Sequence, residues 1–178
     1  MNKLNQTLLK FELEQNFTYD DYFVSKCNYF AFNLIESWPK WEKNILNIYG
    51  EKFSGKSHLS EIFRKKNNAI IIKTDEINEE FLKKMRFHEN IILDNLDYIS
   101  EEKILYTIIN FTEQFNKYLI INSTQPINSI NFALPDLKSR LKNCIFAKIE
   151  KPDDEMIFAL VLKHFSDRQI KIEKKIIE

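Results

Sequence analysis

The chain has 178 residues, with 26 basic and 26 acidic side chains giving a formal net charge of +0, and 44% of it is hydrophobic, including fifteen Phe and seven Tyr. That supports the core of one domain of ordinary size with at most the start of a second, and the charge balance argues against wrapping DNA by counterion release, so direct DNA binding is not expected. Two distant cysteines (Cys27, Cys144) and three scattered histidines (His58, His88, His164) argue against a disulfide framework or a zinc cluster, and no apolar run approaches membrane-spanning length or forms a signal core, so a cytoplasmic protein with no membrane partner is expected.

Residues 1–15 precede the globular pattern. Within them, Gln6-Thr7-Leu8-Leu9-Lys10-Phe11 places a Gln ahead of two apolar anchors at alternating positions. As an extended peptide it would lay Leu9 and Phe11 into a partner's pocket with Gln6 bonding at the rim; the same spacing also suits a short edge strand or a tail. Next comes the aromatic-rich stretch Phe17–Asn28, then a helical pattern from about Asn28 to Trp38 that Pro39 stops. Phe23 and Val24 in this stretch are candidates to line a base pocket, and equally candidates for plain core.

The most informative stretch follows: Asn47-Ile48-Tyr49-Gly50-Glu51-Lys52-Phe53-Ser54-Gly55-Lys56-Ser57. An apolar strand runs into G-x-x-x-x-G-K-[ST], the phosphate-binding loop. Both glycines of the chain, Gly50 and Gly55, occupy the two glycine positions of that motif. There the backbone N–H groups must turn inward around an anion, with dihedrals and close approach that a Cβ obstructs. Residues Gly50, Glu51, Lys52, Phe53, Ser54, Gly55, Lys56 and Ser57 are therefore the expected phosphate cradle. Lys56 would reach the β/γ-phosphates, and the Ser57 hydroxyl would ligate Mg²⁺ at the start of a helix whose positive end faces the anion.

From Asn44 onward, short apolar runs alternate with helical ones. The expected strands are Ile45–Tyr49, Ala69–Lys73, Asn90–Asp94, Tyr118–Ser123 and Cys144–Ile149; the expected helices are Ser57–Lys66, Glu76–Arg86, Glu101–Asn116 and Asp153–Asp167. This alternation predicts an α/β fold with a parallel sheet covered on both faces by crossover helices. Lys151-Pro152-Asp153-Asp154 marks a soft boundary, with Pro and Asp placed to open a new helix. The expected division is a peptide over residues 1–15, a core over 16–150 and a further helical segment over 151–178.

Three strand ends carry candidate chemistry. Ile91-Ile92-Leu93-Asp94 is an apolar strand ending in an acid, and Asp94 would hold Mg²⁺ opposite Ser57. Asn95 follows it, and an amide cannot serve as the base that activates water, so the chain's own hydrolysis is expected to be slow or absent. The next strand ends in Asn122-Ser123-Thr124, where either Asn122 or Ser123 would sense the γ-phosphate, or simply sit at a polar strand end. Leu134-Pro135-Asp136-Leu137-Lys138-Ser139-Arg140-Leu141 reads as a short capped turn presenting Arg140, either as an arginine finger for a neighbouring subunit's nucleotide or as a surface ion-pair partner.

Together, Phe17–Asn28, the phosphate loop, Ile91–Asp94, Gln125-Pro126 and Leu137–Leu141 resemble the AAA+ ATPases, within them the DnaA branch, and most closely the Hda-type (HdaA-type) regulators that inactivate DnaA. The likeness runs over nearly the whole chain. It implies a three-layer αβα P-loop domain with a five-stranded parallel sheet, followed by the start of a helical lid. It also implies ADP or ATP with Mg²⁺ as cofactor and Asn122 as the sensor I residue. Arg140 becomes the trans arginine finger that stimulates hydrolysis of DnaA-bound ATP. DnaA and the DNA polymerase III sliding clamp (beta) are the implied partners, the clamp held by Gln6, Leu9 and Phe11, and a homodimer is compatible with the family. Two departures stand out: Phe53 occupies a position where such loops commonly carry Gly, and the lid would normally extend further than Glu178. A DnaA-like ATPase or helicase loader at the origin, and a nucleotide-dependent scaffold, are the competing readings.

Overall fold

The computed structural model describes residues 18, 19, 21–96 and 102–167. Its strands are β1 (Ile45–Tyr49), β2 (Ala69–Lys73), β3 (Asn90–Asp94), β4 (Tyr118–Ser123) and β5 (Ile145–Lys148). All neighbouring pairs are parallel, in the order β2-β3-β4-β1-β5. Parallel neighbours need crossovers, and the helices supply them. Helices α1 (Tyr29–Ser37) and α2 (Lys56–Lys66) lie on one face; α3 (Glu79–Lys84), α4 (Glu102–Gln114) and α5 (Pro135–Leu141) lie on the other.

Because successive strand side chains point to opposite faces, each strand feeds both layers. Leu46, Ile48, Ile92 and Ile120 pack with Ala31 and Ile35 of α1 and with Leu59 and Phe63 of α2. Ile45, Ile91, Leu93, Leu119 and Ile121 pack with Phe81, Leu105, Ile108, Leu137 and Leu141 of the opposite helices. The expected α/β three-layer architecture with five parallel strands is therefore observed. Burial on both faces is why β3 and β4 read as continuous apolar runs.

Several element ends differ from expectation by a residue or two, the expected capped turn before Leu141 is the helix α5, and one expected helix is interrupted. The single helix expected over Glu76–Arg86 is broken: Thr74–Glu76 and Met85–Phe87 form 3₁₀ turns around the six-residue α3. The cause is Asn78, whose side-chain oxygen accepts the Phe81 N–H at 2.9 Å and starts a new helix in the middle of the expected one. Strand β5 is one residue shorter at each end, although the Ile149 N–H still donates to Tyr49 O at 2.7 Å.

After β5 the chain enters α6 (Asp154–Asp167), opened by Asp153, whose carboxylate accepts the Met156 N–H at 2.8 Å. Met156 is buried, whereas Ile157, Phe158, Leu160, Val161, Leu162 and Phe165 are exposed. Lys163 ties α6 back to the segment before α1, its Nζ lying 3.1 Å from the Asp21 carboxylate. Among the described residues no helix is long and apolar enough to cross a membrane.

Candidate nucleotide-binding site

In an open parallel sheet, ligands settle at the carboxyl ends of the strands, where neighbouring connections diverge to opposite faces. Here that place is the end of β1, which has β4 on one side and β5 on the other. The loop Gly50–Gly55 leaves β1 there and enters α2 at Lys56.

The two glycines are required for different reasons. A Cβ on Gly50 would stand 2.6 Å from the Ile149 carbonyl oxygen, so close backbone approach excludes a side chain. Gly55 has φ +94°, the left-handed region that L-residues avoid. Phe53 also lies in that region, at φ 64°. The loop thus keeps at Phe53 a conformation glycine adopts more cheaply, and the side chain projects into solvent, with a relative exposure of 104%. Glu51 and Lys52 are exposed at the loop tip, and Glu51 pairs with Lys151 at 3.3 Å. Lys56 threads back into its own loop, its ammonium donating to Gly50 O at 2.8 Å, Glu51 O at 2.7 Å and Ser54 Oγ at 3.2 Å. A cation held at the centre of the loop is where an entering phosphate would meet it.

On the α2 face of the sheet, four predicted or adjacent polar groups meet. The Ser57 hydroxyl donates to Asp94 Oδ1 at 3.1 Å, and the Asn122 amide donates to the same oxygen at 2.9 Å and to Ser60 Oγ at 2.8 Å. A carboxylate only accepts, so Asn122 must turn its nitrogen to Asp94. Its Oδ1 is left with no hydrogen-bond partner among the described residues, although Asn122 is fully buried. Among the described residues no cluster of three or more His, Cys, Asp or Glu side chains is placed to hold a metal. Mg²⁺ bound with a nucleotide needs no such cluster, because phosphate oxygens and water complete its shell around one carboxylate and one hydroxyl. Ser57 and Asp94 are hard oxygen donors in contact, and they fit that role.

Asn122 and Ser123, which were indistinguishable by position, diverge in the fold. Asn122 faces Asp94, whereas Ser123 faces the other layer, donating to Gln125 O at 2.6 Å and accepting from Asn47 Nδ2 at 2.9 Å. Asn47 was not anticipated. It is fully buried in β1, bonds Ile121 O at 2.9 Å as well, and accepts the Ile127 N–H at 2.9 Å, which pins the chain leaving β4. Its signal was a lone polar residue inside the apolar run Ile45–Ile48, since a buried amide must be bonded.

Beside the phosphate loop lies a mostly apolar cleft lined by Tyr22, Phe23, Cys27, Phe53, Met156 and Leu160. Phe23 lines this cleft, while Val24 packs against the core under α1 and α2. The cleft wall is built by Asn28, whose side chain donates to Phe23 O at 2.9 Å and accepts the Ser25 N–H at 2.9 Å. His58, also at the cleft, contacts Thr18 O at 2.9 Å and sets its ring edge-on to Tyr22. Burial pulls its pKa below the ordinary histidine value, against the opposing effect of the Thr18 carbonyl.

Arg140 lies on α5 and forms an ion pair with Glu113 of α4, both side chains about one-third exposed, with its guanidinium 5.7 Å from the Tyr106 ring. A second carboxylate of α4 sets the start of α5: Glu102 accepts the Ala133 N–H at 2.7 Å and the Leu134 N–H at 2.9 Å. Gln6, Leu9 and Phe11 lie outside the described residues.

No family model matches the chain. It is 27% identical to the chromosomal replication initiator protein DnaA of Caldanaerobacter subterraneus subsp. tengcongensis over 203 aligned positions, covering 99% of this chain and 45% of that protein. The chain thus spans less than half the length of the curated relatives it matches. Among solved structures, AMPPCP-bound DnaA from Aquifex aeolicus superposes with a TM-score of 0.74 at 19% identity, covering 93% of this chain and 60% of that one. Domain III of DnaA from Thermotoga maritima superposes with a TM-score of 0.73 at 17% identity, covering 91% of this chain and 78% of that one. The chain therefore has the fold of these DnaA structures, with five parallel strands between two layers of helices.

Proposed function

We propose that this chain binds ADP or ATP with Mg²⁺ and acts in the initiation of DNA replication as a regulator that stimulates ATP hydrolysis by DnaA. The observation that carries the nucleotide reading is the convergence of Ser57, Asp94 and Asn122 beside a loop whose lysine points inward. The backbone of Gly50–Gly55 binds phosphate, Lys56 neutralises it, and Ser57 and Asp94 hold the metal ion, which when bound shields phosphate charge. Asn122 orients Asp94 from beneath. The AMPPCP seen in the DnaA neighbour supports the same ligand class here.

The regulator reading rests on two residues. Asn95, directly after Asp94, is held at φ 63° and cannot take a proton from water. This domain is therefore a nucleotide holder with little hydrolysis of its own. Arg140, by contrast, sits on a surface helix in an exchangeable pair with Glu113. Inserted beside a neighbouring subunit's γ-phosphate, a guanidinium stabilises transition-state charge, and such trans-supplied arginines are worth roughly 10³–10⁵ in rate. Gln6, Leu9 and Phe11 would recruit the sliding clamp, and residues 151–178 would open the lid.

Calorimetric titration of ATP and ADP, with Mg²⁺ and with EDTA, tests the nucleotide half. Wild type should bind and Lys56→Ala should lose most of the affinity; equal binding by both would sink it. For the clamp, Gln6→Ala with Phe11→Ala should abolish co-elution with the sliding clamp, and unchanged co-elution would remove that partner.

A further inference from the structure

Phe53 is unusual on three counts. Its backbone occupies the left-handed region at φ 64°, where a bulky L-residue is a rare and costly occupant. Its ring is entirely exposed, the most exposed of the large hydrophobic side chains described. And it is one of the residues lining the apolar cleft, together with Tyr22 and Phe23 and with Met156 and Leu160 of α6. A strained backbone that holds an aromatic ring out in water is a cost the fold sustains for something outside it.

We propose that Phe53 is a base-stacking residue: its ring forms the outer wall of the cleft and covers the base of the bound nucleoside phosphate. The inference rests on the nucleotide reading above and deepens it. The geometry follows from the chain connectivity. Gly55 and Lys56, two and three residues beyond Phe53, belong to the phosphate cradle. A nucleotide anchored there by its phosphates must lay its ribose and base alongside the loop, and the adjoining apolar space is this cleft. Tyr22, Phe23, Met156 and Leu160 line it as well, and at the loop Phe53 is the large apolar side chain beside Ser54 and Gly55. A glycine at the same position would give the loop its conformation at lower cost but would leave the base uncovered. The aromatic residue thus exchanges loop stability for base contact. The contact is through a π-face, so it favours purines over pyrimidines through stacking area rather than through hydrogen bonding.

The test compares wild type with Phe53→Asn and Phe53→Tyr in the full chain, titrated with ATP and with inorganic tripolyphosphate, each with Mg²⁺. Asn is chosen because it tolerates the left-handed conformation, so the ring is removed while the loop is kept. Phe53→Asn should weaken ATP binding by roughly 5- to 150-fold, the value of one base–aromatic stack, and leave tripolyphosphate within about twofold. Phe53→Tyr should restore wild-type affinity for ATP. Equal weakening of both ligands would mean that Phe53 only shapes the loop, and unchanged ATP affinity would mean that the ring serves something other than the base; either result overturns the proposal. Wild type binding tripolyphosphate as tightly as ATP would overturn it while leaving the phosphate cradle intact. If wild type bound neither ligand, the nucleotide reading itself would fall.

Discussion

Replacing Asn122 by Leu, of similar volume, separates the role of this residue in the fold from its role at the metal. The substitution removes two hydrogen bonds, one to the Asp94 carboxylate at 2.9 Å and one to Ser60 Oγ at 2.8 Å. The first is charge-assisted and worth about 1.5–3 kcal/mol, the second about 0.5–1.5 kcal/mol. It also removes the buried Oδ1 that has no partner among the described residues, a group whose desolvation costs about 1–3 kcal/mol. The terms partly offset, and their midpoints leave a net loss of about 1 kcal/mol, a fall in Tm of roughly 2–4 °C for a chain of this size. At the site the Ser57 hydroxyl is then the one side-chain donor left on Asp94 among the described residues. Losing a charge-assisted bond of that strength should reduce the Mg²⁺-dependent part of ATP affinity by roughly 10- to 150-fold. Titration in EDTA should show affinity within about twofold of wild type, because the phosphate loop is untouched. Unchanged Mg²⁺ dependence would refute the assignment of Asn122 as the residue that positions Asp94. A collapse in Tm without a change at the metal would mark it as purely structural.

Gly50→Ala should be poorly tolerated, because its Cβ would lie 2.6 Å from the Ile149 carbonyl; a loss of about 1–3 kcal/mol by thermal unfolding is expected, with loss of ATP binding, and a variant as stable and active as wild type would contradict the close packing. His58 has a depressed pKa in the folded protein, mainly through burial. It therefore binds a proton more weakly folded than unfolded, and its contribution is complete above the ordinary value near 6.5 and lost as pH falls through the lowered one. His58→Gln should flatten that part of the stability–pH curve, and an unaltered curve would exclude the effect. Cys144 is buried, and burial pushes its thiol up to about 12, so it should resist a thiol reagent at neutral pH until the protein is unfolded; rapid labelling of the native chain at Cys144 would contradict its placement.

Sheet and phosphate loop were readable in the sequence because their physics is local. Strands β1 to β4 are bounded by the same residues that end the apolar runs, and Gly50, Gly55, Lys56 and Ser57 fall at fixed spacings. What was not readable depends on groups that meet only in three dimensions. Glu76–Arg86 has helical composition throughout, yet Asn78 caps a turn inside it, a competition between side chain and backbone that periodicity does not register. Asn122 and Ser123 are neighbours in one strand, and only the choice of face separates the residue on Asp94 from the one tied to Asn47. Met156, Leu160 and Lys163 look like one stripe of an amphipathic helix; that the first two line a cleft with Tyr22 and Phe23 while Lys163 pairs with Asp21 follows from where α6 is docked. Phe53 was visible as a departure from the usual loop, but its left-handed backbone and outward ring were not.

The most direct measurement is the rate of hydrolysis of DnaA-bound ATP after addition of this protein and DNA-loaded sliding clamp, wild type beside Arg140→Ala. The pair with Glu113 is about one-third exposed on both sides, so its loss should cost no more than about 1 kcal/mol of stability, and the variant should remain folded. Stimulation by wild type that falls by roughly 10³-fold or more in Arg140→Ala is the predicted result. Stimulation that survives the substitution would contradict the arginine-finger role, and no stimulation by wild type would contradict the regulator reading altogether.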